Sequence, residues 1–348
     1  MIHILYITQR CVLKKNLMGH ELVSKSIKFY DDLELDIHSC APETHGKDGA
    51  GPKPVVIVIH GGAWISGYKE NVSEICETVA QGGYITVCPN YILTSLDSES
   101  IVHIGAFQVA IFIYLIINTS GRIRTLWMIA FCASLLTMIA WTINRGSKRQ
   151  INGHCGSVVK CIEWVYHNIT AHGGSPDNLF LLGYSAGGHI ASLVANNPHF
   201  LRRVSLSTSI IKGVVCIGSP FSDKRVGESV TGRYLLQNVF PPTENCDMNR
   251  ITMVENFPIY WISPKSPPHL LINADVDFTL QQHTWDFFHV LYSNGVYVDT
   301  ARFENTDHFN IKFWKNDFPQ VGRYVLDFLK KVCKHPTSYD QFRHHPLN

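Results

Sequence analysis

The sequence predicts an α/β protein built on a mostly parallel, doubly wound sheet, and three observations carry that prediction. Continuous β-branched runs recur along the chain, beginning with "PVVIVIH" at residues 54–60. Such runs, without alternation, suit strands buried on both faces. Between them lie stretches with helical spacing of apolar residues, and this alternation is the pattern of strands joined by crossover helices. Finally, a serine flanked by glycines, Gly183-Tyr184-Ser185-Ala186-Gly187, falls where an apolar strand gives way to a helix.

Taken in order, residues 26–40 ("SIKFYDDLELDIHSC") alternate apolar and polar positions about Asp31-Asp32, as an exposed-edge hairpin would. Residues 41–53 are a loop by composition. After "PVVIVIH" come the strands "YITVCPN", "NLFLLGYS", "IKGVVCIGSP" and "PHLLINAD", and "VYVDTARFEN" closes the series. Helices are expected over 69–81, 155–170, 186–197, 279–294 and 319–334. The last places Val321, Tyr324, Val325, Phe328, Leu329 and Val332 on one face. Residues 221–267, with prolines and short apolar pieces, read as a cap over the sheet's edge rather than core.

A chain of 348 residues, 45% hydrophobic and 17% charged, is long enough for one large domain. Its formal charge of +2 is scattered, so no footprint for nucleic acid is present. The ten cysteines lack metal-like spacing, and several lie in apolar runs, which favours buried free thiols over a disulfide framework. Sequons at Asn71, Asn118 and Asn168 keep a lumenal location open. The N-terminal apolar run is short and followed by its basic residues, unlike a signal peptide.

One segment breaks the alternation. Residues 101–117 carry no charge apart from His103 when protonated, and residues 125–143 carry none. Seventeen and nineteen residues sit at the lower limit for crossing a bilayer, which needs roughly 17 to 25. The pair reads as a membrane hairpin, against a helical pair buried or embedded within the cap, since His103 and Gln108 are awkward in lipid. Joining "PNYIL" directly to "CGSVVKCIEWVYHN" would restore strand, loop and helix, so the segment also reads as an insertion. Arg145, Lys148 and Arg149 flank the hairpin, against Arg122 and Arg124 in its turn. This bias orients the rest of the chain to the cytosol at an endomembrane such as the endoplasmic reticulum. The organisation expected is an N-terminal extension (1–25), a folded domain (26–98 and 151–334, with the cap at 221–267), the insertion (99–150) and a tail (335–348).

The chemistry gathers at strand ends. Ser185 sits on the strand-to-helix bend that exposes a nucleophile. "HGGAWISGY", directly after the first buried strand, supplies close-approaching main-chain amides. Gly61, Gly62 and the Ala186 amide are assigned as an oxyanion hole, where each donor is worth about 3 to 4 kcal/mol. A serine needs a base and the base an orienting acid. "TDHF" offers His308, and "NADVD" offers Asp277 or Asp275. Asp277 is favoured because Asp275 reads as the final strand residue and Asp277 as the loop residue beyond it, while Asp307 reads as a solvated neighbour. Trp64 and Tyr184 are assigned to substrate binding, although a large aromatic at Trp64 also suits core; His189 reads as packed and His60 as shaping the glycine turn.

With "HGGAW", "GYSAGG", "NADVD" and "TDHF" in this order, the chain resembles the α/β-hydrolase superfamily, in its serine carboxylesterase and lipase branch. Residues 61–69 with 164–191 are similar to the isoprenylcysteine methylesterase group, and more distantly to arylformamidases and hormone-sensitive-lipase-like esterases. The resemblance implies Ser185 as nucleophile, His308 as base and Asp277 as acid, acting on a small lipophilic ester without metal or organic cofactor. Ala63 stands where a third glycine often does, which argues against bulky tertiary esters. An amide hydrolase of the arylformamidase type and a non-catalytic hydrolase-fold scaffold are the alternatives.

Overall fold

In a computed structural model of the chain, residues 11–15, 21–40, 51–94, 131, 151–240, 255–315 and 317–334 are described. The apolar insertion, apart from residue 131, lies outside them, as do residues 241–254 of the cap and the 335–348 tail. Among the described residues no helix is long and apolar enough to cross a membrane.

Among the described residues nine strands form one sheet: β1 (Cys11–Lys15), β2 (Glu21–Tyr30), β3 (Leu33–Cys40), β4 (Lys53–Ile59), β5 (Ile85–Pro89), β6 (Gly174–Tyr184), β7 (Ile211–Ile217), β8 (His269–Val276) and β9 (Val298–Asp307). Their spatial order is β1-β2-β3-β5-β4-β6-β7-β8-β9. From β5 to β9 every pairing is parallel, and β1, β2 and β3 join antiparallel on the β5 side. The chain thus runs from β4 out to β5 and then returns to pair β6 on the opposite side of β4. Loops leaving β4 and β6 diverge at that reversal, where an open α/β sheet forms its ligand crevice.

The apolar runs make strands because both faces are covered. Alternate residues of β4 and β6 enter two cores, with Ile57, Leu179 and Leu181 on one side and Val56, Val58, Phe180 and Leu182 on the other. The first core is closed by α2 (Ile151–Asn168), α3 (Ala186–Asn196) and α4 (Leu280–Ser293). The second is closed by α1 (Ser73–Gln81) and α5 (Pro319–Lys334). In α5 the face at Val321, Val325, Phe328, Leu329 and Val332 is buried, as its spacing predicts, while Tyr324 is only half-buried.

Four expectations are corrected. The sheet begins before residue 26: β1 pairs β2 from Cys11↔Lys25 to Lys15↔Glu21, so much of the expected extension is sheet. Consequently the β2–β3 hairpin is not an edge, since β3 also pairs β5. The five residues CVLKK show no alternation, and the pairing with β2 is what defines the strand. Cys76 and Cys88 are joined in a disulfide between α1 and β5, although Cys155, Cys161 and Cys216 are buried free thiols as expected. Sequence spacing does not reveal that pairing, because α1 folds back onto β5. The described parts of the cap also depart from a surface lid, because Phe221, Phe240 and Phe257 are buried in the first core.

Removing a ring from the second core leaves a void that the rigid sheet cannot close. Phe328→Ala should lower unfolding free energy by about 3 to 5 kcal/mol in urea melts, whereas Asp327→Ala, on the exposed face, should change it by less than about 0.5 kcal/mol.

Candidate active site

Ser185 is the residue on which the site turns. It is the last residue before α3, with φ 54° and ψ −122°, a region costing a non-glycine residue about 1 to 3 kcal/mol. A strand and a helix hold it there: its amide donates to Ile217 O of β7 at 2.8 Å, and its carbonyl accepts from the Gly188 amide of α3 at 3.0 Å. The flanking glycines answer to close approach. A Cβ at Gly187 would stand 2.1 Å from Ile59 O, and one at Gly183 would stand 2.3 Å from the Gly187 carbonyl. The first turn of α3 therefore lies directly on the ends of β4 and β6.

From that bend the Ser185 hydroxyl reaches His308 Nε2 at 3.1 Å, and His308 Nδ1–H donates to Asp277 Oδ1 at 2.5 Å. Asp277 is buried, and its Oδ2 accepts from Asn273 Nδ2 (2.9 Å) and from the Ala274 amide (3.1 Å). Both carboxylate oxygens are thus occupied by donors, which sets the carboxylate's plane and, through it, the imidazole's. The rejected alternative, Asp275, points away and pairs with Arg302. Asp307 is a structural residue rather than a merely solvated one, since its Oδ1 accepts from the Phe309 and Asn310 amides at 2.7 and 2.9 Å. That turn presents His308 from the end of β9.

Opposite the serine, the loop after β4 holds three successive residues with positive φ: Gly62 (124°), Ala63 (50°) and Trp64 (63°). Only the first is a glycine, so the turn is strained and must be held. Gly62 O accepts from the Ile65 and Ser66 amides at 3.1 and 2.9 Å, and Trp64 O accepts from the Thr94 amide at 2.9 Å. Gly61 backs onto the serine, for a Cβ there would lie 2.9 Å from Ser185 Cβ. Among the described residues, the amides of Gly61, Gly62 and Ala186 donate to no acceptor. Gly61 and Ala186 flank Ser185, one by packing and one by sequence.

Two sequence assignments are corrected. Trp64 does not face a substrate space: it is buried, its indole N–H donates to His189 Nδ1 at 3.2 Å, and it packs edge-on to Phe240. Tyr184 is buried too, and its hydroxyl donates to His308 O at 2.5 Å, so it steadies the base's backbone. Both have rings large enough to suggest a pocket wall, and the contacts that employ them come from residues remote in sequence. Two positions escaped notice altogether. Asn273 orients the acid, and Gly218 (φ 52°) lies under the His308–Asp277 pair, where a Cβ would come within 3.0 Å of His308 Nδ1. The strand-end words "NAD" and "IGSP" carried that signal.

The packed histidines are neutral. His189 Nε2–H donates to Asn256 O at 2.8 Å, and burial pushes its pKa down to about 3. His60 donates to Gly61 O and stacks on Tyr91 at 4.2 Å, and burial takes its pKa down to about 4.

Residues 42–111 match the BD-FAE family. The chain is 29% identical over 163 residues to the para-nitrobenzyl esterase of Bacillus subtilis, covering 46% of this chain and 24% of that protein. It is 27% identical over 146 residues to a probable isoprenylcysteine alpha-carbonyl methylesterase of Arabidopsis thaliana, covering 42% and 20%. It therefore spans about a quarter of the length of these curated relatives. Among solved structures, it resembles esterase B from Lactobacillus rhamnosis with a TM-score of 0.60 at 17% identity, over 87% of this chain and 82% of that one. An esterase from Pyrobaculum calidifontis gives 0.58 at 16% identity, over 96% and 87%.

The chain has the α/β-hydrolase fold, with a serine, a histidine and an aspartate in line at its strand ends, and its sequence is similar to carboxylesterases.

The neutral histidines give an acid-side prediction. His60, His154, His189, His269 and His283 all have pKa values depressed by burial to about 3 or 4, from an ordinary 6.5. The unfolded chain takes up their protons as pH falls below about 6.5, which the folded chain resists until about 4. Stability is therefore full above pH 6.5 and lost on acidification, by at most about 1.4 kcal/mol per pH unit for each histidine. Denaturant melts from pH 7.5 to 4.5 should show this slope. His189→Gln should be less stable at pH 7.5 yet flatten the slope.

Proposed function

We propose that the protein is a serine hydrolase that cleaves a lipophilic carboxylic ester through an acyl-enzyme. The observation that carries this is the single line from Ser185 Oγ to His308 Nε2 and from His308 Nδ1 to Asp277, beside three unengaged amides. Ser185 Oγ attacks the ester carbonyl carbon while its proton passes to His308 Nε2. Negative charge gathers on the carbonyl oxygen and is met by the amides of Gly61, Gly62 and Ala186, already fixed before the reaction begins. The tetrahedral species collapses, the alcohol oxygen departs with the proton from His308, and Ser185 keeps the acyl group. Water then gives a proton to His308 Nε2 and attacks the acyl carbon, and the returning proton restores the serine. Asp277 holds the imidazole in the tautomer that both halves need.

The lipophilic character of the substrate rests on the similarity to esterases and on the apolar segments at 101–117 and 125–143, which also support attachment to a membrane with the triad on its cytosolic side. A prenylcysteine methyl ester is one candidate, following the Arabidopsis relative's name.

Fluorophosphonate labelling of membrane and soluble fractions tests the chemistry. Wild type should label, Ser185→Ala should not, and His308→Ala should label at least about a thousandfold more slowly. Failure of folded wild type to label would transfer the reading to a non-catalytic scaffold. Asp277→Asn should leave the fold intact and lower kcat by about 10³ to 10⁴, as loss of the correct tautomer does in serine hydrolases, while Asp275→Asn should cost less than tenfold. Comparing aryl esters, prenylcysteine methyl ester and N-formylkynurenine separates ester from amide preference.

A further inference from the structure

Two large aromatic rings stand in the open beside the base. Phe278, the residue after the acid, is 70% exposed, and Phe309, the residue after the base, is 64% exposed. Both touch the same imidazole: ring centroids lie 5.2 Å (Phe278) and 5.5 Å (Phe309) from that of His308, and 5.9 Å from each other. Core packing does not demand this placement, because neither ring belongs to either buried cluster. Phe278 also holds φ at 50°, in the left-handed region that bulky residues avoid. Strain of this kind persists where the surroundings impose it and gathers at functional sites.

The chemistry says which part of a substrate would meet these rings. His308 is engaged at Nδ1 by Asp277 and at Nε2 by Ser185, and the buried Tyr184 ring covers it at 5.3 Å. During acylation Nε2 must hand its proton to the departing alcohol oxygen, so that oxygen comes within hydrogen-bonding reach of the imidazole. The alcohol's carbon chain begins one bond further out. Phe278 and Phe309 are the exposed apolar surface in contact with that imidazole. The acyl chain, by contrast, extends from a carbonyl whose oxygen faces the Gly61 and Gly62 amides.

The geometry points to Phe278 and Phe309 as the subsite for the alcohol portion of the ester, selecting substrates whose leaving group is an extended apolar alcohol. This rests on the esterase reading above and refines it. Among lipophilic esters it favours those with the hydrocarbon on the alcohol side over methyl esters of lipophilic acids, such as a prenylcysteine methyl ester. Because the rings act on the substrate rather than on the proton relay, they are specificity residues.

The test uses two ester series below their aggregation concentrations, with full-length protein. One is the acetates of ethanol, butanol and hexanol, whose leaving alcohols have similar acidity; the other is p-nitrophenyl esters of acids lengthening from two to six carbons. In wild type, kcat/KM should rise along the alkyl acetates by roughly twofold to fourfold per methylene. Phe278→Ala with Phe309→Ala should remove most of that rise, lowering the hexyl-to-ethyl ratio by about tenfold or more, and leave the acyl-length dependence as in wild type. Phe278→Leu should retain most of the rise. A uniform drop across both series would mean that the rings merely shield the imidazole, and loss of acyl-length dependence would place the acyl chain there; either result overturns the inference. Fluorophosphonate labelling of each variant checks that the triad is intact. Wild type that hydrolyses neither series would defeat the esterase reading itself, whereas wild type active on both, with variants that keep its alkyl preference, would defeat this inference alone.

Discussion

Ser185 can occupy its strained backbone conformation only because α3 is pressed against the carboxyl ends of β4 and β6. That contact requires hydrogen in place of a side chain at Gly183 and Gly187, where any Cβ would lie within 2.3 Å of a backbone atom. The amide bond from Ser185 to Ile217 O then ties the bend to β7. Every other part of the site is placed relative to this elbow: the β4 loop lies against it through Gly61, and the β8 and β9 loops bring their acid and base to it. Positive φ at non-glycine residues recurs around the site, at Ala63, Trp64, Ser185 and Phe278. A stable core offsets a local cost at the place where chemistry needs a fixed geometry.

A second layer keeps that geometry. The indole of Trp64 donates to His189 on α3, and His189 donates in turn to Asn256 O, so the strained turn, the elbow helix and the 221–267 segment are joined by hydrogen bonds inside a cage of Phe240 and Phe257. These groups are neutral and satisfied, and in a site of low polarity such bonds hold without the desolvation cost of ions. On the other side, Tyr184 links the residue before the serine to the backbone of the base. The result is that the Gly62-Ala63-Trp64 turn, the helix after Ser185 and the backbone of His308 are each held by hydrogen bonds from residues around the triad.

Much of this was legible in the chain. Buried parallel strands announce themselves because both faces are apolar, and helices because one face is. The order of the glycine turn, the serine, the aspartate and the histidine is a linear property, and so is the preference for Asp277, which follows from its place in the loop beyond a strand that reads as ending at Asp275. What escaped was of another kind. The edge strand Cys11–Lys15 has no pattern of its own and exists through its pairing with β2. Cys76 and Cys88 meet because α1 returns across β5. Trp64 and Tyr184 look from sequence like pocket walls, yet their polar atoms are claimed by residues more than a hundred positions away.

The sequence by itself determined the sheet, the helices that cover it and the four motifs that reach its carboxyl edge, because hydrophobic periodicity and local turn chemistry act over a few residues. Only the tertiary structure decided which aspartate meets His308, that Asn273 and Gly218 support that pair, and that Phe278 and Phe309 converge on the imidazole in the open. Those outcomes depend on the register of β8 against β9, and register is a relation between strands: no window of sequence contains both sides of it.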